Sequence, residues 1–491
     1  MAKPTMKYEI AFATAPDDPS PVWVDVTQFV QVRPGVRITR GRADESSSVP
    51  PSTLTLTLKN ADGRFSPELA SSPYYPNVKK GRKIKVTATH NAVAYIRFVG
   101  YVDEWSIDWP TARTAFAFVQ ITASSRKARL DKGAELYSII GEEYVADGPE
   151  MYYPLTEAEG ATQAGSGTDA PMPPMLIATL GTGTAGQIAF GTATGPGTDD
   201  NSAPLFTRTS ANDGAMLRAA ALSPLFDATL PGTLLLEAFF LSASTQAMGV
   251  CLAEQFGYYP TRAGYLIGVD AAGKLYGRNF TGAAPGTNAY LLSTASPVVT
   301  DNQTHHVALR EVWNGTNTTA TLFLDGTSVA STTFAGSVTR PVQRLIAGGN
   351  ADYAPCFAGV IAHVALTCNT TGITDARVQQ HALSGLTGFS GERSDQRIAR
   401  LARYAGVPSA DLTTETGLSI SIANQVTSGR TALSLMEDVV STEAGLLFDA
   451  KDGELMFHAR SHRYNTFSTL TLGSGEISKD LEPKLDDQEL V

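Results

Sequence analysis

The sequence predicts a mainly β protein in three parts, and three observations predict it. Glycine (44 residues) and proline (27 residues) are abundant in a chain of 491, which favours short strands joined by tight turns. Runs that alternate apolar and polar residues recur along most of the chain, as half-buried strands require. From about residue 144 to residue 388, a Gly/Thr/Ala-rich stretch with its own strand pattern interrupts flanks of a different character. The length also argues for about three domains. The expected division is 1–143, 144–388 and 389–491.

Charge and targeting signals narrow the functional classes. Lys+Arg number 38 against Asp+Glu 48, a net charge of −10, which opposes global attraction to a nucleic-acid backbone. The basic run from Lys79 to Lys85 leads into an alternating segment and reads as the wet face of a strand. Residues 1–8 lack the apolar centre of a signal peptide, and no run reaches the roughly 18 apolar residues of a membrane helix. Three cysteines, Cys251, Cys356 and Cys368, cannot form a disulfide framework. Cys356 and Cys368 could meet on neighbouring strands, but free buried thiols are the expected state.

In the first part, strands are expected at 8–12, 22–26, 53–58, 83–89, 95–105 and 116–122. The run Thr53-Leu54-Thr55-Leu56-Thr57-Leu58 puts threonines on one face and leucines on the other, and Asn60-Ala61-Asp62-Gly63 supplies a tight turn. Asp62, Asp103 and Glu104 read as turn and sheet-edge residues.

The order of a strand, Asn60 to Pro67, Lys80-Gly81-Arg82, and Gly100-Tyr101-Val102-Asp103-Glu104-Trp105 resembles the N-terminal part of minor tail proteins of long-tailed bacteriophages. That resemblance spans about residues 20–130 and implies a tail-hub-like β domain.

The second part opens with Tyr153-Pro154-Leu155-Thr156-Glu157 and shows strand-like runs at 234–241, 264–269, 275–280, 306–310, 319–324, 329–334 and 359–366. Such spacing implies two packed antiparallel sheets, each hiding one apolar face. A short helix is expected at 373–381, with Thr374 as its N-cap. His305-His306-Val307-Ala308, the hairpin Leu322-Phe323-Leu324-Asp325-Gly326, and the closing run Gly359 to Leu366 are similar to the laminin-G-like, concanavalin-A-like jelly roll.

Sugar binding on such a scaffold needs exposed aromatic platforms beside amides or carboxylates. The candidates are Tyr258, Tyr259, Tyr265, Asn279, Trp313 and Asn314, each weighed against packing in the core or a loop. Adjacent His305 and His306 point to opposite faces of a strand and cannot share one ion. Asp199, Asp200 and Asp213 are oxygen donors, but no calcium-binding loop motif surrounds them. Glycoside hydrolysis needs two carboxyl groups across a cleft, whereas Glu237 stands among leucines and phenylalanines and reads as a paired or edge residue. No enzyme activity, metal or cofactor is expected.

After Gly388 the pattern becomes helical. A helix is expected over 395–405 with Ser394 as its cap, and Arg397, Arg400 and Arg403 read as a solvated face, with a carboxylate-bearing neighbour as the alternative. A second helix at 431–443 precedes a hairpin around Asp452-Gly453. This order also resembles phage tail hub and minor tail proteins. Residues 481–491 read as an approach to another strand, implying that the natural chain continues past Val491.

Taken together, the resemblances imply a structural component of the distal tail, located in the virion and made in the host cytoplasm. Its partners would be other tail-tip proteins and copies of itself. Three-fold symmetry is the family expectation, and the sequence does not choose between three and six. The 144–388 module would meet a host-surface polysaccharide or a neighbouring subunit. Two other readings remain open: a secreted carbohydrate-binding or wall-degrading protein, and a non-viral adhesion module.

Overall fold

The computed structural model describes residues 3–464 except 32, 34, 43, 45–46, 109–116, 169–171, 181–186, 197–201, 221–231, 243, 254–263, 281–287, 337–343, 350–354, 370–371 and 417–418. The protein is mainly β, with several antiparallel sheets and a few short helices. Tyr258, Tyr259, Asp199, Asp200 and the 481–491 run lie outside the described residues.

The N-terminal part is one seven-stranded sheet. Its order is Val24–Asp25, Thr5–Ala11, Lys83–His90, Val93–Asp108, Phe118–Ser124, Thr53–Lys59 and Arg37–Thr39. The Thr/Leu alternation acts as expected: Leu54, Leu56 and Leu58 are buried against Ile10, Val86, Val119 and Ile121, and the threonines face away. The turn after this strand is closed by its own side chains. Asn60 Oδ1 accepts from the Phe65 amide at 2.9 Å, its Nδ2 donates to Ser66 Oγ at 2.9 Å, and Arg64 Nε donates to Asp62 at 2.7 Å. Phe65, now inside, stacks with Tyr74 and Trp105.

Helix α1 (Arg126–Asp131) and helix α2 (Ile139–Val145) lead into a two-sheet sandwich. One sheet has nine strands in the order Asn288–Val298, Lys274–Phe280, Gly264–Val269, Ala247–Ala253, Arg344–Ala347, Asp213–Ala220, Met175–Leu180 and Gln163–Ala164, with Arg208–Ser210 paired to Asp213–Ala220. The other has eight: Ile188–Thr194, Ser202–Phe206, Gly359–Asn369, Gly232–Ser242, His305–Trp313, Asn317–Leu324 and Thr327–Ala335, with Met151–Tyr153 paired to Gly359–Asn369. The arrangement is jelly-roll-like. Leu234, Leu236 and Phe240 of one sheet and Leu217, Ile267 and Leu345 of the other share a single apolar core.

The central strand Gly232–Ser242 is buried on both faces, and its sequence shows why: Leu234, Leu235 and Leu236 break the alternation expected of a half-wet strand. Its second face lies under helices. Helix α3 (Asp375–Leu386), capped by the Thr374 side chain on the Arg377 amide, sets Val378 against Leu235, Ala308 and Phe323. Ile139, Ile140 and Tyr144 of α2 pack on Phe239 and Ala365.

The third core joins Leu130 and Leu136 to α4 (Ser394–Tyr404), α5 (Ala432–Glu443) and the hairpin Leu446–Asp449/Leu455–His458. Asp449 ties this core back to α1, accepting from Ser125 Oγ at 2.5 Å and from the Lys127 amide at 3.0 Å.

Two expectations change here. Ser394 is the first residue of α4 rather than its cap; its hydroxyl donates to buried Glu443 at 2.6 Å, and Arg393 takes the cap position. Arg397 and Arg400 are not a solvated face, because Glu392 in the preceding turn accepts from both and draws them inside.

Gly385 tests the docking of α3. In an exposed helix, Gly→Ala stabilises by about 1 kcal/mol. A Cβ at Gly385 would stand 2.2 Å from Phe239 Cζ, so Gly385→Ala is expected to reverse that sign and destabilise by ~1–3 kcal/mol in urea unfolding.

Candidate functional site

The two outer faces of the sandwich differ, and the difference starts with Glu237. By alternation with the core residues Leu236 and Ala238, this carboxylate points to the helix-covered side of the eight-stranded sheet. It is fully buried and accepts from His306 Nε2 at 3.2 Å and His381 Nδ1 at 3.0 Å. The other ring nitrogen of His381 stands 3.0 Å from Asp147, so the ring lies between two carboxylates and both N–H groups are used. Burial alone would lower the His381 pKa, but the Glu237 charge and the bonds to Asp147 and Glu237 raise it to about 9. For Glu237, burial acts upward, and the His381 charge with the two imidazole bonds outweighs it, giving about 2.

The network runs on into the flanks. Arg377 of α3 donates to Asp147 at 3.1 Å and Glu143 at 2.7 Å, and Glu143 also accepts from Arg403 and, at 2.5 Å, from Tyr404 Oη. Burial pushes Glu143 up, yet the Arg403 and Arg377 charges bring its carboxyl below the usual range. This side of the sandwich is thus occupied by helices and ion pairs.

On the nine-stranded sheet, neither of the core clusters that hold α2 and α3 includes a residue. Alternation with Leu217, Leu275 and Leu345 inside directs Arg218, Tyr276, Arg278 and Arg344 outward, and all four are half-buried. Tyr276 is paired with Gly268 across the strands. A Cβ on Gly268 would lie 2.8 Å from Tyr276 Oη and 2.9 Å from its Cζ, so the hydroxyl end of the ring reaches over the glycine on the outer side of the sheet. Leu291 and Leu176 flank the face, 59% and 53% exposed. Leu266 and Ile346 point outward too but are buried; their cross-strand partners include Arg278 and Arg218, whose aliphatic stems can cover them.

The sequence-derived candidates fall elsewhere. Tyr265 and Asn279 are direct cross-strand partners, buried inside the sandwich. Asn279 Nδ2 donates to Glu311 Oε1 at 3.2 Å, while Glu311 Oε2 and Asn279 Oδ1 have no hydrogen-bond partner among the described residues. Trp313 is half-buried at the end of its strand, and exposed Asn314 closes the following turn by accepting from the Thr316 and Asn317 amides. Tyr276 and Arg278 were not singled out by sequence. The usable signal was Gly268 opposite Tyr276, a pairing that lays an aromatic ring on a sheet surface.

One cavity of the flanks is lined by paired charges. A cleft of about 590 Å³ between the N-terminal sheet and α4 is lined by Asp17, Arg126, Arg129 and Tyr137, with Arg129 bonded to both oxygens of Asp17. Among the described residues, no group of three or more His, Cys, Asp or Glu side chains could hold a metal ion. Glu237 and Glu311 lie on opposite faces of one sheet, which prevents them from acting across a common cleft. Cys356 and Cys368 are free thiols.

Residues 231–369 match the family described as the Concanavalin A-like lectin/glucanases superfamily. No curated protein matches the chain. Similar solved structures include the Ruminococcus gnavus IT-sialidase CBM40 bound to α2,6-sialyllactose, at 15% identity over 32% of this chain and 84% of that one, TM-score 0.26. Domain 4 of AbnA, a GH43 extracellular arabinanase from Geobacillus stearothermophilus, in complex with arabinotriose, is 13% identical over 48% of this chain and 98% of that one, TM-score 0.31. The globular domain of T. cruzi calreticulin is 10% identical over 43% and 92%, TM-score 0.30.

The lectin-family match overturns the tail-hub resemblance. With it go the placement in a virion, the tail-tip partners, the trimeric or hexameric assembly and the structural role in a phage tail. The motifs that carried the resemblance do local work: Asn60, Asp62 and Ser66 close the turn that ends strand Thr53–Lys59.

Glu311 gives a pH test. Burial raises its carboxyl to about 7, against the opposing effect of the Asn279 bond and of the neighbouring Tyr290 and Tyr265 hydroxyls. A carboxyl whose folded pKa is raised binds more protons folded than unfolded, so stability falls as pH rises from about 4.5 to 7 and then levels off. Glu311→Gln should therefore raise the urea midpoint at pH 8 and change it little at pH 4.5.

Proposed function

We propose that this chain is a glycan-binding protein, not an enzyme, and that the outer face of its nine-stranded sheet holds the saccharide. In this reading 144–388 is the binding module, carried between an N-terminal β part, 1–143, and a return segment, 389–491. The supporting observation is the Tyr276 ring reaching over Gly268 on the face that no helix-bearing core cluster touches. A flat aromatic ring offers an apolar platform to the C–H face of a pyranose, and Arg278 two residues away supplies donors for its hydroxyl groups. Helices occupy the opposite sheet, so the sandwich has one face left for a ligand. Trp313 and Asn314, at the end of the adjoining sheet, are contacts of second rank.

The test is binding of the full chain to a panel of immobilised polysaccharides. Tyr276→Ala is expected to weaken binding about ten-fold or more, near 1.4 kcal/mol, while leaving the unfolding midpoint close to that of the parent. Retention of full affinity in Tyr276→Ala would move the site off this face.

A further inference from the structure

The charge on the nine-stranded sheet is one-sided. Its strands carry Arg208, Arg218, Lys274, Arg278 and Arg344 against a single carboxylate, Asp213, which sits at a turn. This occurs in a chain whose net charge is −10. The eight-stranded sheet shows no such bias, with Arg310 set against Glu237 and Glu311. Arg208 is committed to structure, since its head donates to the carbonyls of Thr245, Gln246 and Cys356. The other four cations alternate with core residues and point outward.

Their placement forms a track. Arg218 is the register partner of Ile346, and Arg344 that of Ala220, so the two arginines are diagonal neighbours on adjacent strands, about 7–8 Å apart at their Cα atoms. Arg278 stands four strands away from Arg218, or ~19 Å at about 4.8 Å per strand, with Lys274 one pleat pair beyond Tyr276 on the same strand. Arg278 and Arg344 each keep other contacts as well. A guanidinium has five N–H donors in a planar fork, so an engaged arginine retains donors for an incoming oxyanion. Half-buried stems beside Leu266 and Ile346 limit the freedom of these heads and lower the entropy lost on binding.

We infer that the saccharide held by this face is anionic, bearing carboxylate or sulfate groups spaced along the chain, with Arg218 and Arg344 meeting one group and Arg278 another. This rests on the glycan-binding reading and goes beyond it. The acidic remainder of the protein repels a polyanion, so attachment depends on this local field and is selective for ligands that lie along it.

Titrations of the full chain with polygalacturonate, dextran sulfate and uncharged dextran, in low salt and at about 0.15 M salt, test it. At least one of the two anionic polymers should bind about ten-fold or more tightly than dextran and weaken as salt rises; which one it is separates carboxylate from sulfate. Arg218→Gln with Arg278→Gln should remove that preference, and Arg218→Lys should keep part of it. If the double variant does not fold, Arg218→Gln alone, at a half-exposed position, should still halve the preference or more. Equal affinity for dextran, or a preference that survives the double variant, overturns the inference. Inorganic polyphosphate bound as tightly as the polysaccharides overturns it too, because charge alone would then suffice. Binding of dextran that depends on Tyr276 would keep the glycan reading and sink only its anionic form; no binding to any of the three would sink both.

Discussion

The buried carboxylate of Glu237 is the constraint around which the sandwich is arranged. A charge fully removed from water is tolerable only if it is paired and hydrogen-bonded, and Glu237 recruits His306 from a neighbouring strand and His381 from α3. His381 in turn needs a second acceptor for its other N–H, which Asp147 supplies. Asp147 and Glu143 then hold Arg377, and Glu143 holds Arg403 of α4. Each link satisfies a group that the previous one would otherwise leave unpaired. The chain of contacts fixes α3 on the sheet and joins the sandwich to the segment that follows it.

That choice has a consequence for binding. Closing one outer face with helices and ion pairs lets the eight-stranded sheet be buried on both sides, as its central strands are. The nine-stranded sheet contributes no residue to the helix-bearing core clusters. Its outward positions mix half-buried cations, a tyrosine and isolated aliphatics. A buried polar set stands behind them, with Glu311 and Asn279 inside the sandwich. The same strand, Lys274–Phe280, carries Asn279 to the interior and Arg278 to the outside, so the two sides of the candidate site are bound to one register.

Much of the architecture was legible in the residues. The Thr/Leu alternation of 53–58, the Asp452-Gly453 hairpin, the Thr374 cap and most strands of 264–366 follow from period and turn chemistry, and the structure has them. Strands such as Met175–Leu180 and Asp213–Ala220 were missed, because Ala, Gly and Thr alternate weakly and leave no clear apolar period. The tail-hub assignment failed for a related reason: short turn motifs report local geometry, which unrelated β proteins share. Arg397 and Arg400 looked solvated from helical spacing alone, since nothing in that spacing reveals a Glu392 folded back beside them.

The residues alone were enough for a mainly β class with antiparallel sheets and a few short helices, because periodicity and turn residues are local facts. Which outer face α2 and α3 cover is settled by long-range packing. Inward and outward are fixed by sheet order and by what packs above each sheet, and those contacts join residues as far apart as Glu143 and Arg403. For that reason Tyr265, an aromatic candidate chosen by type, lies inside, while Tyr276 lies on the outer side, over a glycine of the neighbouring strand.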